Sequence, residues 1–336
     1  MTDLKPFTRS KPLTLSQALV SPCLSCPTSP CCTHVVLAGI SLDTAAAVDY
    51  ARYLSNFAGI VLALGETGKT AQVYFHQECR HLDVPTGLCG VHGTEDQPRV
   101  CVQYVDYTCD YRHVMTRDLH PDHPLMDAAR MGWFADRLEY DHDGKVVAWP
   151  DRREVVEAFT DLPFERRPLR EIVTPAPTEG WQPVAVASGP GTPGPESASP
   201  CDTCAAWCCS VLVFPKGRPE DASHVDFMRF VLGFPSLTVG VSDDGWAVIV
   251  RTRCRHLEGH RCGVYGSAER PQRCSSYDAN HCTYRGHFGT PRPPDMVEVP
   301  AGRFDVLAAS VAFDRFGRVM ATAPAAVVRE LLEQVG

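Results

Sequence analysis

Apolar and polar positions along the chain follow two periods. From 43 to 57 the period is helical. Asp43 or Thr44 offers an N-cap, an alanine run follows, and Val48, Tyr50, Ala51, Leu54 and Phe57 fall on one stripe. Residues 221–232 carry the same pattern. Each helix precedes two strand-like runs joined by a turn. In the first half these are Ile60–Leu64 and Ala71–Gln77 around Glu66-Thr67-Gly68-Lys69; in the second, Leu237–Val241 and Ala247–Arg253 around Asp243-Asp244-Gly245. The later strand of each pair runs into the tetrapeptide Cys-Arg-His-Leu, at Cys79–Leu82 and Cys254–Leu257, which places a cysteine at each strand exit. A stretch punctuated by Gly and Pro comes next and reads as loops and short turns. Each half closes on a short hairpin and a helix, at 152–159 and 325–334. The pattern predicts an α+β fold.

The order of elements is written twice, and so is the order of cysteines. The first half carries Cys23, Cys26, Cys31, Cys32, Cys79, Cys89, Cys101 and Cys109; the second carries Cys201, Cys204, Cys208, Cys209, Cys254, Cys262, Cys274 and Cys282. From Cys89 to Arg112 and from Cys262 to Arg285 both halves read C-G-V-x-G-x4-P-x2-C-x2-Y-x4-C-x-Y-R without a gap. Away from the cysteines, Val48-Asp49-Tyr50 with Arg52 matches Val225-Asp226-Phe227 with Arg229. Asp143-Gly144-Lys145-Val146 matches Phe316-Gly317-Arg318-Val319. The repeated unit is therefore a whole domain, at 14–165 and 196–336. The segment 166–195 between them is dense in Pro and Gly, shows no helical or strand period, and reads as a linker. Its part Ile172–Val186, with Trp181, is the piece best suited to lie on one domain.

Composition narrows the role of the cysteines. A chain of 336 residues with 44% hydrophobic side chains can bury a core without cross-links, so sixteen cysteines are not needed as staples. The first twenty residues show no secretory pattern and no run of eighteen apolar residues occurs, which predicts a cytoplasmic protein with no membrane partner. In a reducing compartment thiols stay unpaired, and thiolate ligands are the reading to prefer over a disulfide-rich secreted framework. The net charge of −8 and the lack of a Lys/Arg tract exclude a broad phosphate-binding face, so no nucleic-acid partner is expected.

A C-x2-C pair turns two thiolates toward one centre, as zinc sites and iron–sulfur clusters both require. Here each pair is followed by two adjacent cysteines and four more. Adjacent residues such as Cys31 and Cys32, or Cys208 and Cys209, do not easily share one small tetrahedron. The economical reading is two centres per domain, fed by different members of each adjacent pair, and the spacing leaves the pairing of ligands open. Soft thiolates favour zinc, Cu(I) or iron–sulfur clusters. Around the ligands, Gly90, Gly93, Gly263 and Gly266 would let backbone amides approach sulfur. Arg80, Arg112, Arg255 and Arg285 would offset thiolate charge. Tyr104, Tyr111, Tyr277 and Tyr284 would donate hydrogen bonds to the centre or serve as core aromatics. His81 and His256 follow a ligand cysteine directly and are read as hydrogen-bonding or packing residues, because the cysteines already fill two four-ligand sites.

The run C-x2-C-x3-C-C at Cys201–Cys209, with the later C-G-V-Y-G-x3-R-P-x2-C and a closing Y-x4-C, resembles the YkgJ-like cysteine-cluster proteins, also described as the CxxCxxCC putative zinc- or iron-chelating domain. The resemblance covers the cysteine-bearing part of both halves. It implies metal or iron–sulfur binding through all sixteen cysteines, often without an assigned reaction, and one branch of that family is similar to flagellin lysine methylases. The first half departs from the pattern. It has four residues between Cys26 and Cys31, Gln97 where the second half has Arg270, and His92 in place of Tyr265. The tandem arrangement is a further departure.

These observations predict two tandem small cysteine-rich metal-binding domains, each with β-hairpins, a few helices and irregular metal-wrapping loops. The cofactor would be an iron–sulfur cluster or zinc. Three functions fit: a redox or cluster-dependent protein with a redox partner, a zinc-stabilised module that binds a protein partner, or a metal-handling protein. No radical-SAM C-x3-C-x2-C, Walker-A loop, G-x-G-x-x-G after a strand or G-x-S-x-G is present, so no catalytic residue is assigned. Gly65–Thr70 ends in Gly-Lys-Thr but lacks the leading glycine of a P-loop and reads as a hairpin turn.

Overall fold

The computed structural model describes residues 30–85, 88–91, 94–103, 111, 123–165, 204–259, 261–277, 281–290, 293 and 295–335. The linker 166–195, with Ile172–Val186, and Cys23, Cys26, Cys109 and Cys201 lie outside them.

In the first half the chain runs through β1 (His34–Ser41), α1 (Ala45–Ser55), β2 (Ile60–Leu64), β3 (Thr70–His76), the two-residue strands β4 (Leu82–Asp83) and β5 (Leu88–Cys89), and α2 (Arg99–Gln103). It continues through β6 (Leu125–Met126), α3 (Ala128–Ala135), the hairpin of β7 (Glu139–Tyr140) and β8 (Val146–Ala148), and α4 (Arg152–Asp161). The second half repeats the order with β9 (Val211–Gly217), α5 (Ala222–Val231), β10 (Leu237–Ser242), β11 (Gly245–Arg251), β12 (Leu257–Glu258), β13 (Arg261–Cys262) and α6 (Gln272–Ser275). It continues with α7 (Thr283–Phe288) and ends with β14 (Val297–Val299), α8 (Phe304–Ala309), the hairpin of β15 (Val311–Phe313) and β16 (Val319–Thr322), and α9 (Ala325–Gln334). Each half forms a four-stranded antiparallel sheet of the same topology, ordered β1-β3-β2-β6 and β9-β11-β10-β14. The fold is α+β.

The sequence signals explain most boundaries. Thr44 caps α1 by accepting from the Ala47 amide, and Asp221 caps α5 by accepting from His224. Every residue of β2 is buried. Its run is continuously apolar because both faces are covered: Ile60, Leu62 and Leu64 face the main core, while Val61 and Ala63 meet Tyr74, Tyr111 and Leu125 on the other side. The edge strands β1 and β9 escape the periodicity reading. Both follow a cysteine pair directly, and their apolar runs are short and unbounded by turn residues on one side. The stretch expected to be loops contains the short helices α2, α6 and α7.

The two halves share one hydrophobic core, in which Val35, Leu54 and Phe75 are continuous with Leu212, Phe234 and Val250. The junction is reciprocal. Helix α1 packs on α6 of the other half, and α5 packs on α2. The Arg255 amide donates to the Asn56 carbonyl at 2.7 Å, and the Arg80 amide donates to the Gly233 carbonyl at 2.8 Å. Gln77 exchanges two hydrogen bonds with Ser236, and Thr252 donates to the Ala58 carbonyl.

Arg130 is 2% exposed, and its guanidinium donates to the carbonyls of Leu125, Phe159 and Leu162 at 2.8–2.9 Å, between the rings of Phe159 and Phe164. It ties α3 to the end of α4. Arg303, its counterpart, reaches the Leu332 carbonyl of α9 in the same way with one bond. Replacing Arg130 with Met leaves two buried carbonyls and a half-buried one without their guanidinium donor, and the expected cost is about 3 kcal/mol. Arg303→Met should cost less. Urea unfolding of both variants checks this; equal losses would show that the extra bonds of Arg130 carry no weight.

Candidate metal centre

A single-turn 3-10 helix, Pro30–Cys32 or Trp207–Cys209, delivers the adjacent cysteines just before the first strand of each sheet. The Cys79 amide donates to the Cys32 carbonyl, and the Cys254 amide to the Cys209 carbonyl, each at 2.8 Å. These bonds extend the edge pairing β1–β3 and β9–β11 by one step. They hold the strand-exit cysteine beside the adjacent pair. Strands β4–β5 and β12–β13 then fold the chain back through the pairs Leu82–Cys89 and Leu257–Cys262. Finally the turns after Pro98 and Pro271 bring in Cys101 and Cys274, whose amides donate to those proline carbonyls.

Among the described residues the outcome is one gathered thiol locus in each half. In the first, Cys31, Cys32, Cys79, Cys89 and Cys101 lie within electrostatic reach of one another. In the second, the same holds for Cys208, Cys209, Cys254, Cys262 and Cys274. Cys204 and Cys282 are half-buried thiols of the second half. Cys282 accepts at its sulfur from the Arg285 amide at 3.3 Å and caps α7. None of the twelve described cysteines is in a disulfide. Among the described residues, no three Cys, His, Asp or Glu side chains form a closed coordination shell. The thiols gather without converging. A thiol that keeps its proton is neutral and gains nothing from close convergence, whereas metal ligation requires thiolates.

The adjacent cysteines do not separate. The Cys31 and Cys32 side chains hydrogen-bond to each other, and so do those of Cys208 and Cys209, so each pair contributes to one locus. The 3-10 turn places neighbouring side chains on one side of the strand end. The shared proton splits the Cys208–Cys209 pair. Cys208 is lowered to about 7 by the hydrogen bond from Cys209, against its burial and with help from a backbone amide and the Arg270 charge. Cys209 is driven far upward by the same bond, then by burial and by Cys208, Cys254 and Cys274. Cys32 is raised likewise by its bond to Cys31 and by burial. Burial pushes Cys274 up to about 12 and lifts Cys101 and Cys79, with neighbouring thiols adding to each. Arg80 and the His81 amide pull Cys79 the other way.

The expected supporting residues divide. The amides of Gly90 and Gly263 donate to the carbonyls of His81 and His256 at 2.7 Å, so they close the β4–β5 and β12–β13 turns and do not reach sulfur. Gly266 adopts a positive φ of 79° in a turn. Arg80 faces Cys79, but Arg255 pairs with Glu165 at 3.1 Å, and Arg285 meets sulfur through its amide. Tyr111 is buried edge-on against Tyr74 and accepts from the Val36 amide, as a core aromatic beside Cys31 and Cys101. Tyr284 is half-buried near Cys208 beside Phe288, and the Tyr277 hydroxyl bonds to Thr283. His256 hydrogen-bonds Asn56, and burial with the Arg80 charge holds the His81 imidazole below its usual range. Gly93, Tyr104 and Arg112 lie outside the described residues.

Several site residues escape a reading of one repeat at a time, because they come from the other half. The Tyr53 hydroxyl donates to the Cys208 carbonyl at 3.1 Å. Asp49 accepts from the Gln272 and Arg273 amides, both at 2.8 Å, and Asp226 accepts from the Val100 amide at 3.0 Å. A Cβ on Gly233 would stand 3.0 Å from the Cys79 sulfur. The signal available was the repeated Val-Asp-aromatic-x-Arg match at 48–52 and 225–229, which marks the positions without naming their partners.

In the metal-free chain at pH 7, iodoacetamide should mark Cys208 before Cys209 and Cys274, since only Cys208 is substantially thiolate there. Peptide mapping after brief labelling checks this, and equal labelling of the three would remove the assignment. Comparison of the chain with family models, with curated proteins and with solved structures finds no match.

Proposed function

We propose that the protein is a thiol-based metal-binding protein in which each half holds zinc or an iron–sulfur cluster through its cysteine set. One observation carries the reading: in both halves, described thiols distant in sequence are gathered to one locus by the same backbone bonds and none of them is joined in a disulfide. A disulfide framework would join them, and a core would surround them with hydrocarbon.

The donor set fits a soft ion. Arg270 stands at the second locus, donating to the Cys274 carbonyl at 2.7 Å and lowering both Cys208 and Cys274. Arg80 plays that part at Cys79. These cations stabilise the thiolates that ligation requires. The metal, when bound, would supply cross-links between the cysteine-bearing segments or a one-electron redox centre. The protein's own part is to collect the ligands, offset their charge and limit water. A cavity between Ile60, His76, Asp127 and Arg255 has a volume of about 40 Å³, room for water. The reading places the protein in a reducing compartment. Among the described residues no helix is long and apolar enough to cross a membrane.

Anaerobic purification with metal and acid-labile sulfide analysis tests the proposal. Iron with sulfide and visible absorption assigns clusters and turns attention to an electron partner. Stoichiometric zinc without colour assigns zinc-stabilised modules. In either case chelation should lower the melting temperature and expose the thiols to alkylation. Protein that holds neither metal, with all thiols reactive from the start, removes the proposal.

A further inference from the structure

The contacts that close each thiol locus cross from the opposite half. Helix α6, which bears Cys274, begins at Gln272 with no side chain of its own half capping it. Its first two amides donate instead to both carboxylate oxygens of Asp49, on α1 of the other half. Helix α2, which bears Cys101, has its Val100 amide satisfied by Asp226 on α5. The residues that follow the strand-exit cysteines are held across the junction too, Arg80 on Gly233 and Arg255 on Asn56. Gly233 makes room for the Cys79 sulfur itself: a Cβ would stand 3.0 Å from Sγ, and the Phe230 carbonyl at the same distance leaves it nowhere to move.

We propose that each metal site is a composite of both halves, with Asp49 a positioning residue for the second-half site and Asp226, with Gly233, for the first-half site. This rests on the metal-binding reading of the two loci. Neither carboxylate is offered as a ligand. Asp49 spends both oxygens on backbone amides and Asp226 one, and each fixes the turn from which a ligand cysteine projects. Substituting a residue in one half should therefore impair the site of the other half. A residue with a merely local structural role would impair its own half, or both equally.

The test uses the full chain, Zn2+ as probe, and alkylation mapped cysteine by cysteine. For Asp49→Ala, zinc protection of Cys208, Cys209, Cys254, Cys262 and Cys274 should weaken about tenfold in zinc concentration, the size of a lost helix cap. Protection of Cys31, Cys32, Cys79, Cys89 and Cys101 should stay as in the parent chain. Asp226→Ala should give the mirror result. Asp49→Asn, which keeps one acceptor oxygen, should recover part of the loss. Gly233→Ala should weaken the first-half site alone. Loss confined to the substituted half, equal loss in both halves of a folded variant, or no loss overturns the proposal. Circular dichroism identifies a variant that has unfolded, and Asp49→Asn and Gly233→Ala then decide. Should the parent chain bind no Zn2+, the metal reading fails on that result alone. The positioning roles are then judged in the metal-free chain, where Asp49→Ala should speed alkylation of Cys274 and leave Cys101 unchanged; no selective change overturns them.

Discussion

The reciprocal main-chain bonds from Arg80 to Gly233 and from Arg255 to Asn56 are the constraint on which the rest of the arrangement depends. Both donors immediately follow a cysteine at the exit of a sheet strand. Both acceptors terminate a helix that begins in the other half. A hydrogen bond at that point therefore fixes the thiol relative to its own sheet and docks the helix of the opposite half in one step. Around these bonds the two sheets share a single hydrophobic core, and the cysteine-bearing turns are held between them.

A junction in which residue i of one copy meets residue j of the other, and j meets i, is the geometry of an isologous dimer. Here the two copies are covalently joined, so the association carries no concentration dependence. Covalent joining also lets the halves diverge, and they have. Where the first half supplies Tyr50 and Tyr53 toward the second locus, the second half offers Phe227 and Phe230 at the corresponding positions, without hydroxyls. The Tyr53 bond to the Cys208 carbonyl has no counterpart for this reason. Pro235, opposite Ala58, has no amide with which to mirror the bond from Ala58 to the Arg253 carbonyl. Arg270, which stacks on Tyr265 and helps to lower Cys208, is Gln97 in the first. The two loci share a backbone frame and differ in the charge and polarity around it.

Electrostatics within a locus follow from crowding neutral acids together. Each thiol makes its neighbour's ionisation harder, and burial adds to that, so Cys32, Cys101, Cys209 and Cys274 all resist losing a proton. One member of the adjacent pair escapes: a shared proton on Cys209 leaves Cys208 the more acidic partner. A cation that binds here displaces protons from most of its ligands, and its affinity rises with pH in consequence.

The sequence by itself determined the α+β content, the duplication and the hairpins. These depend on local periods and on turn residues such as Gly68 and Gly245, whose positive φ is legible from type and position. It also singled out the residue type on which the proposal rests, sixteen cysteines in two matched series. Helix α1 shows where that legibility stops. Its stripe through Val48, Ala51 and Leu54 faces its own sheet as the period requires, but Tyr53 is buried too and Asp49 is engaged, on sides that the period assigns to solvent. Those sides meet the other half. Only the tertiary structure decided that the adjacent cysteines share a locus, that Gly90 and Gly263 close turns, and that Asp49 and Asp226 cap helices across the junction. Contacts between residues more than a hundred positions apart leave no period in the chain. They depend on which surfaces two folded halves present to each other.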